Sequence, residues 1–568
     1  MLLSNLELLA TAPGGVAKLR ELILTLAVQG KLVPQDPADE PTSVLLQKIR
    51  AEKDRLIAEG KIKRDKSLAE IEEEEKPFEL PQGWEWGRLG DICAYIQRGK
   101  GPVYAESSEH RVVSQKCVRW HGLDLAPARF VTPESLAKYE PIRILQAGDL
   151  LWNSTGTGTI GRACLVPVEL DNAGLVADSH VTVVRPVQIN SWFLWRWIQS
   201  PYVQSEIEGS ASGTTNQIEL NTSTVVNHLV PLPPLAEQSR IVTRVEALMR
   251  LCDALQAKGQ LEAAQHAQLV STLLGTLTAS TTPEELAENW QRVAQHFDLL
   301  LDRPQAIDAL EQTLLQLAVR GLLVPQDPTD EPAIVLLQKI RAEKDHLIAT
   351  GQIKRDKPLP PITDEEKPFE LPVGWEWCQL DELVTIRGGK RVSNGYQLST
   401  VPTEFIYIRV SDMKDGSIDD SDLRYLDAQM RSAISRYIIT KDDIYMTIVG
   451  ATIGKCGLVP ERFDGMNLTE NAARLTPHLV SKDYLFRLLA SEFCQEQFLG
   501  KTKQVGVQKM ALNRLAGTLI PLPPLAEQSR IVTRVAALRQ LCTDLRQRLA
   551  ERQSVQARLA EALVASVA

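Results

Sequence analysis

A mixed α/β fold carrying an internal duplication is what this sequence predicts. It should form two similar α/β domains separated by long antiparallel coiled-coil helices, the halves related by a pseudo-two-fold. Three observations predict it. Residues 44–66, VLLQKIRAEKDRLIAEGKIKRDK, return at 335–357 as VLLQKIRAEKDHLIATGQIKRDK. PLPPLAEQSRIVTRV stands at 231–245 and again, letter for letter, at 521–535. Between these anchors, about 81–230 and 372–520 are almost equal in length yet share little sequence. A matching frame around unlike fillings suggests one scaffold presenting two different surfaces; a solenoid would keep its apolar positions throughout.

The elements follow from local pattern. PTSVLLQKIRAEKDRLIAEG has a polar start after Pro41, apolar Leu46, Ile49, Leu56 and Ile57, and Gly60 where a C-terminal cap belongs. After each PLPP, apolar residues recur at 4-3-4-3 spacing: Ile241, Val245, Leu248, Cys252 and Leu255, then Ile531, Val535, Leu538, Cys542 and Leu545, with Leu549 extending the second. Such a seam needs a long apolar partner, and two equal seams in one chain can satisfy each other. The seam cysteines read as small buried apolar residues. In the fillings, EFIYIRVSD (404–412) and HVTVVRP (180–186) read as strands. SWFLWRWIQSPYVQSEI (191–207) and KDYLFRLLASEFCQEQFL (482–499) read as corresponding helices whose aromatics belong to the core. TTPEEL (281–286) opens another helix, with Trp290, Val293 and Phe297 on one side.

At 568 residues the chain exceeds one ordinary core. A net charge of −9 argues against an indiscriminate polyanion binder, but not against a few basic residues gathered on one surface. The eight cysteines include no C-x-x-C and no histidines at metal spacing, so reduced thiols and a cytoplasmic location are expected. MLLSNLELLATAPGG lacks a basic leader, and no apolar run reaches membrane-spanning length.

STGTGTIG at 154–161 holds a G-x-G-x-x-G at Gly156, Gly158 and Gly161, with Asp178 at a fitting distance. A dinucleotide fingerprint needs a helix after it. RACLVPVELDNAG instead alternates like a strand, and the corresponding VGATIGK keeps only Gly450 and Gly454. A glycine-rich turn between strands is the better reading. GATIGK (450–455) has one residue too few between its glycines for a P-loop, and Cys456 follows the lysine. The acids Asp412, Asp415, Asp419, Asp420 and Asp422 lack EF-hand spacing and read as a solvated turn, as EIEEEEK (70–76) reads as a solvated linker. No Asn/Asp-Pro-Pro-Tyr/Phe, H-E-x-x-H or G-x-S-x-G string occurs. No catalytic, cofactor-binding or metal-ligating residue is therefore assigned, and the chain is not expected to be an enzyme.

Together, LPQGWEW and LPVGWEW, GDLLWNSTGTGTIGRACLV and DDIYMTIVGATIGKCGLV, and the doubled PLPPLAEQSRIV leading into a heptad helix make the chain resemble the specificity subunits of type I restriction–modification systems. The resemblance implies that each insert is a target recognition domain reading one half of a split, asymmetric DNA site. The two long helices would fix the spacer and bind two modification (methyltransferase) subunits, which restriction subunits join. S-adenosylmethionine would sit on the methyltransferase, ATP and Mg on the restriction subunit. On this reading residues 1–77 form an N-terminal helical frame, 78–234 the first recognition domain and 235–275 the first spacer helix. Residues 276–368 form a connector repeating the frame, 369–524 the second recognition domain and 525–568 the second spacer helix. The duplicated frames at 16–77 and 305–368, and residues 276–304, depart from shorter members.

DNA contact calls for Lys and Arg on phosphate, and for Arg, Asn or Gln on base edges. Candidates in the first domain are Arg98, Lys100, Lys116, Arg119, Ser154, Thr155, Thr157, Arg162, Asn216 and Gln217. In the second they are Arg387, Lys390, Arg391, Asn394, Thr452, Lys455, Lys501, Lys503, Gln504 and Gln508. The rival readings are a self-contained S-adenosylmethionine- or nucleotide-binding enzyme using the Gly156 loop, and a coiled-coil adaptor binding proteins through both inserts.

Overall fold

The computed structural model describes residues 6–64, 67–156, 158–171, 173–211, 219–355, 357–499 and 509–566. The chain divides into two compact units, residues 1–262 with 553–568, and residues 263–552.

After a short helical turn at Leu6–Thr11, the first unit carries frame helices α1 (Gly15–Val28) and α2 (Thr42–Ala58). The insert enters on strand β1 (Glu85–Arg88) and builds a four-stranded sheet from β2 (Cys93–Arg98), β3 (Leu150–Asn153), β4 (Ala163–Leu165) and β5 (Val181–Pro186), in the order β2-β5-β3-β4. All three pairings are antiparallel. A second sheet of short strands includes a parallel pairing of Val176 with Val112. Helix α3 (Ser191–Ile198) follows, its start capped by Asn190. Trp195, buried, donates its indole N–H to Ala163 O at 2.8 Å, and Phe193 and Trp197 are buried with it, so these aromatics serve the core, whereas Trp192 is 45% exposed. The insert leaves on β6 (Leu229–Leu232), which pairs with β1, Trp86 facing Pro231. Helix α4 (Leu235–Ala279) then starts.

The second unit repeats this. Its frame helices are α5 (Pro304–Val319) and α6 (Ala333–Ala349). Strands β7 (Glu376–Gln379), β8 (Val384–Gly388), β9 (Ile444–Thr447), β10 (Cys456–Leu458) and β11 (Ala472–Pro477) precede helix α7 (Lys482–Leu489). The sheet order is β8-β11-β9-β10. β12 (Leu519–Leu522) closes the ribbon on β7, Trp377 facing Pro521, and helix α8 (Leu525–Ala565) follows.

Within each unit the heptad seam is covered by the unit's own frame helix. Ile241, Val245 and Cys252 are buried in one core with Leu19, Ile23 and Ala27 of α1, with Leu248 and Leu255 packed at its margin. Ala560 near the end of α8 shares that core. In the second unit Cys542 and Leu549 share a core with Ile307, Leu310 and Leu314 of α5 and with Val270, Leu274 and Leu277 from the end of α4. Leu538 and Leu545 flank it, while Ile531 and Val535 belong to the insert-side core with Leu315 and Val319. Burial pushes the thiols of Cys252 and Cys542 up, as suits packing residues.

PLPPLAEQSR acts as a clamp, which explains its repetition. Glu237 accepts the indole N–H of Trp84 at 3.0 Å, and Glu527 that of Trp375 at 2.9 Å. Gln238 Oε1 accepts the N–H of Asn190, and Gln528 Oε1 that of Ser481, both at 2.9 Å. Arg240 pairs with Asp39, and Arg530 with Asp330, both at 2.6 Å. Gly30 and Gly321 hold positive φ directly against the same prolines and tryptophans; a Cβ on either would stand 2.5 Å from Pro81 or Pro372. No helix among the described residues is long and apolar enough to cross a membrane.

Candidate nucleic-acid interface

The glycine-rich turn answers to hairpin geometry. It joins antiparallel β3 and β4, with Gly156, Gly158 and Gly161 all at positive φ and no helix after them. In the second unit residues 448–455 join β9 and β10 in the same way.

Antiparallel order brings one end of each strand to a common edge. In the first sheet Arg98 at the end of β2 faces Thr182, Val181 at the start of β5 faces Asn153 at the end of β3, and Trp152 faces Ala163 at the start of β4. The loop after β2, the turn before β5 and the β3–β4 hairpin are therefore neighbours. Hydrogen bonds close the gaps. Gly99 N–H donates to Val181 O at 2.9 Å, Lys100 N–H to Ala177 O at 3.1 Å, and Ser154 N–H to His180 O at 2.9 Å. The second sheet repeats each bond: Gly389 to Ala472 at 3.0 Å, Lys390 to Leu468 at 2.9 Å, and Ile448 to Asn471 at 2.8 Å. Gly99 and Gly389 are required there, because a Cβ would lie 2.2 and 2.1 Å from carbonyl oxygens of the adjacent turn.

Most described candidates gather at these edges. Lys100 is exposed; Arg98 is half-buried in an ion pair with Glu219. Lys116 is exposed beside Gln115, whose carbonyl accepts from Asn153 Nδ2 at 3.1 Å. Thr155 bonds His180 Nδ1 at 2.6 Å, and Arg162 donates to Gly158 O at 2.7 Å. Arg119 ends the first strand of a small ribbon, opposite Gly122 and 3.9 Å from Asp124. In the second unit Lys390 and Lys455 are exposed and Thr452 is half-buried. Arg387 donates to Ile386 O at 2.8 Å, Arg391 pairs with Glu470 at 2.6 Å, and Asn394 is exposed in the loop after β8. Burial opposes ionisation of Glu470, but Arg391 together with hydrogen bonds from its own backbone N–H and Thr469 holds the carboxyl below its ordinary value.

Ser154 is a correction. It is 1% exposed and its hydroxyl meets that of Thr182, so it holds the sheet together and offers nothing outward. Thr157, Asn216, Gln217, Lys501, Lys503, Gln504 and Gln508 lie outside the described residues. Their described flanks reach the same edges. Leu220 N–H donates to Ser154 O at 2.9 Å, and Met510 N–H to Ile448 O at 2.8 Å. Four of the five acids at 412–422 are held in ion pairs: Asp412 with Arg409, Asp419 with Lys414, Asp420 with Arg462, and Asp422 with Arg424. Among the described residues no group of three or more His, Cys, Asp or Glu could hold a metal ion.

Sequence reasoning missed the turn before β5 and β11. Its residues are Asp178, Ser179 and His180 in one unit, and Thr469, Glu470 and Asn471 in the other. Burial raises the pKa of Asp178, against the pull of the His180 N–H that its carboxylate accepts. No periodic pattern marks three residues between short strands; only pairing the two sheets reveals that they correspond.

Fold and edges together define a duplicated scaffold that offers two unlike polar sets from one repeated sheet edge. A family model described as the type I restriction modification DNA specificity domain matches residues 81–265 and 372–552. The chain is 37% identical to the specificity subunit of the type I restriction enzyme EcoAI from Escherichia coli, covering 97% of this chain and 93% of that protein. It is 36% identical to the EcoEI specificity subunit of Escherichia coli, with the same coverage. A chain solved in a study of complex assembly and conformational transition of the type I R-M system aligns with 86% of this chain and 99% of its own length, at 21% identity and a TM-score of 0.48. The chain belongs to the family of type I restriction–modification specificity subunits.

Proposed function

We propose that this chain is the DNA sequence-specificity subunit of a type I restriction–modification complex, reading a bipartite asymmetric target through its two sheet edges. The observation that carries this reading is the convergence, in both inserts, of Lys and Arg on the same end of the same sheet, around residues that differ between the inserts. A common edge fits a common polyanion, and differing residues fit two different half-sites. The subunit is a non-catalytic recognition component. Methylation of adenine then belongs to partner modification subunits, two per complex, which bring S-adenosylmethionine; restriction subunits bring ATP and Mg. The expected setting is the cytoplasm, where incoming DNA is met. On this reading residues 78–234 and 369–524 are the recognition domains, and the helices at 235–275 and 525–568 set the spacer.

Sequencing of methylated bases in the host genome, with the gene intact and deleted, tests this directly. Loss of one split, asymmetric N6-methyladenine motif on deletion is the expected result. An unchanged methylome in cells whose modification subunit is active would refute it. Failure of the complex to bind any duplex would favour a protein adaptor instead.

A further inference from the structure

The two edges can be compared position by position, because the same backbone hydrogen bonds align them. Lys100 corresponds to Lys390: each follows the glycine that packs on the turn, and each donates its N–H to the strand before that turn. Arg162 corresponds to Lys455. Each immediately precedes the second strand of the hairpin, and each gives its carbonyl to the last residue of the first strand, Asn153 N–H at 2.8 Å and Thr447 N–H at 2.8 Å. The two positions that flank the turn thus carry a cation in both units. The turn between them does not repeat: Asp178-Ser179-His180 stands opposite Thr469-Glu470-Asn471.

Two inserts that read different sequences cannot carry that difference in residues they share. We infer that Lys100, Arg162, Lys390 and Lys455 are phosphate anchors without sequence preference, and that the turns centred on Ser179–His180 and Glu470–Asn471 read base edges. The inference rests on the DNA-recognition reading and divides its site into two kinds of residue. The chemistry fits the division. Lysine and arginine at loop ends suit phosphate oxygens, whereas His, Ser, Asn and Glu offer the donors and acceptors that distinguish bases. Geometry supports it as well. The turn sits at the start of the strand that lies between β2 and β3, or between β8 and β9, with an anchor on either side. Thr155 holds the His180 ring through Nδ1 at 2.6 Å and leaves Nε2 for a partner. His180 and Ser179 are exposed, and Asn471 and Glu470 are half-exposed.

The test uses the full chain in its complex with the modification subunits, a duplex bearing the motif found for the wild type, and the host methylome. Lys100→Gln and Lys390→Gln should leave every letter of the motif intact. Each should weaken binding roughly 10-fold and reduce the slope of log affinity against log salt by about 0.9, the value of one released counterion. Lys100→Arg should restore both. His180→Asn should change or relax letters in one half-site only, and Asn471→His letters in the other, with the salt slope unmoved. A changed motif in Lys100→Gln or Lys390→Gln would overturn the division, as would an unchanged motif and affinity in both turn variants. A wild-type complex that methylates no split motif would instead overturn the DNA-recognition reading itself, so the two failures are distinguishable.

Discussion

His228 shows what a single buried group does to this fold. Its side chain is 10% exposed, its Nε2 lies 3.2 Å from the indole N–H nitrogen of Trp197, and Trp152 meets its ring in a T-shaped contact. Nε2 can accept that N–H only while the ring is neutral, and burial pushes its pKa down to about 4. A base whose folded pKa is depressed stabilises fully above its unfolded value, about 6.5. That contribution is lost as pH falls from there through about 4, on the order of 1–3 kcal/mol. The equivalent position in the second insert is Thr518, so that unit lacks a counterpart of His228 there, although burial also holds its half-buried His478 below the ordinary value. His228→Gln, which keeps an acceptor for Trp197, should show a smaller fall in unfolding midpoint between pH 7 and pH 4.5 than the wild type. Parallel curves would refute it. Nothing in the sequence marks His228, because its role depends on tryptophans 31 and 76 residues upstream. Glu237 and Gln238 were legible as a repeated string but not as a clamp, since their partners Trp84 and Asn190 lie far away in the chain.

Helices show the same division between what pattern gives and what contact gives. A 4-3-4-3 seam states which face of α4 or α8 is apolar, and those faces are the buried ones. It does not state what covers them, and the frame helices α1 and α5 emerged as partners only from three-dimensional packing. Polar contacts at their rims are reversed between the units. Arg20 of α1 donates to Asp253 of α4 at 2.7 Å, whereas Glu311 of α5 accepts from Arg539 and, at 2.6 Å, from Arg546 of α8. Arg20 and Glu311 occupy equivalent frame positions, so each frame helix carries the charge that suits its own spacer helix. The two pairs should differ in weight. Asp253 is 67% exposed and its pair is worth about 0.5 kcal/mol, while Glu311, 11% exposed and held by two arginines, should matter several-fold more. Thermal unfolding of Glu311→Arg should therefore show a loss of about 2–4 kcal/mol, and Arg20→Glu less than about 1. Adding Arg539→Glu to Glu311→Arg should recover part of the loss, read as a coupling energy in a double-mutant cycle. No recovery would mean that the cost lies in packing.

The whole molecule is a frame written twice around exchangeable inserts, and the reason for exchangeability lies in how each insert is held. Entry and exit strands pair in one short ribbon, Glu85 with Leu232 and Glu376 with Leu522, so the chain enters and leaves each insert side by side. Just beyond the ribbon, Leu89 N–H donates to His228 O and Leu380 N–H to Thr518 O, both at 2.9 Å. Beyond this point the frame holds each insert through a shared apolar core, Val28, Leu45 and Ile49 packing with Leu89, Ile92 and Val225 in the first unit, and through backbone: Gln238 and Gln528 each accept a main-chain N–H at the start of the aromatic helix. Any residue supplies that donor, and the frame offers the same apolar face to both inserts, Val28, Leu45 and Ile49 in one unit and Val319, Leu336 and Ile340 in the other, so the fillings can differ while the frame repeats. Replacing residues 89–228 by residues 380–518 should then give a folded chain in which Gln238 meets the Ser481 N–H as Gln528 does. Its complex should methylate a motif whose two half-sites carry the same letters, those now read by the second insert, with the length of the unread spacer unchanged. Sequencing of methylated bases in cells carrying only the chimera reads this out. A motif reduced to one half-site, from a chimera that unfolds at the wild-type temperature, would mean that an insert reads DNA only beside its native frame. The duplication would then fix recognition as well as position.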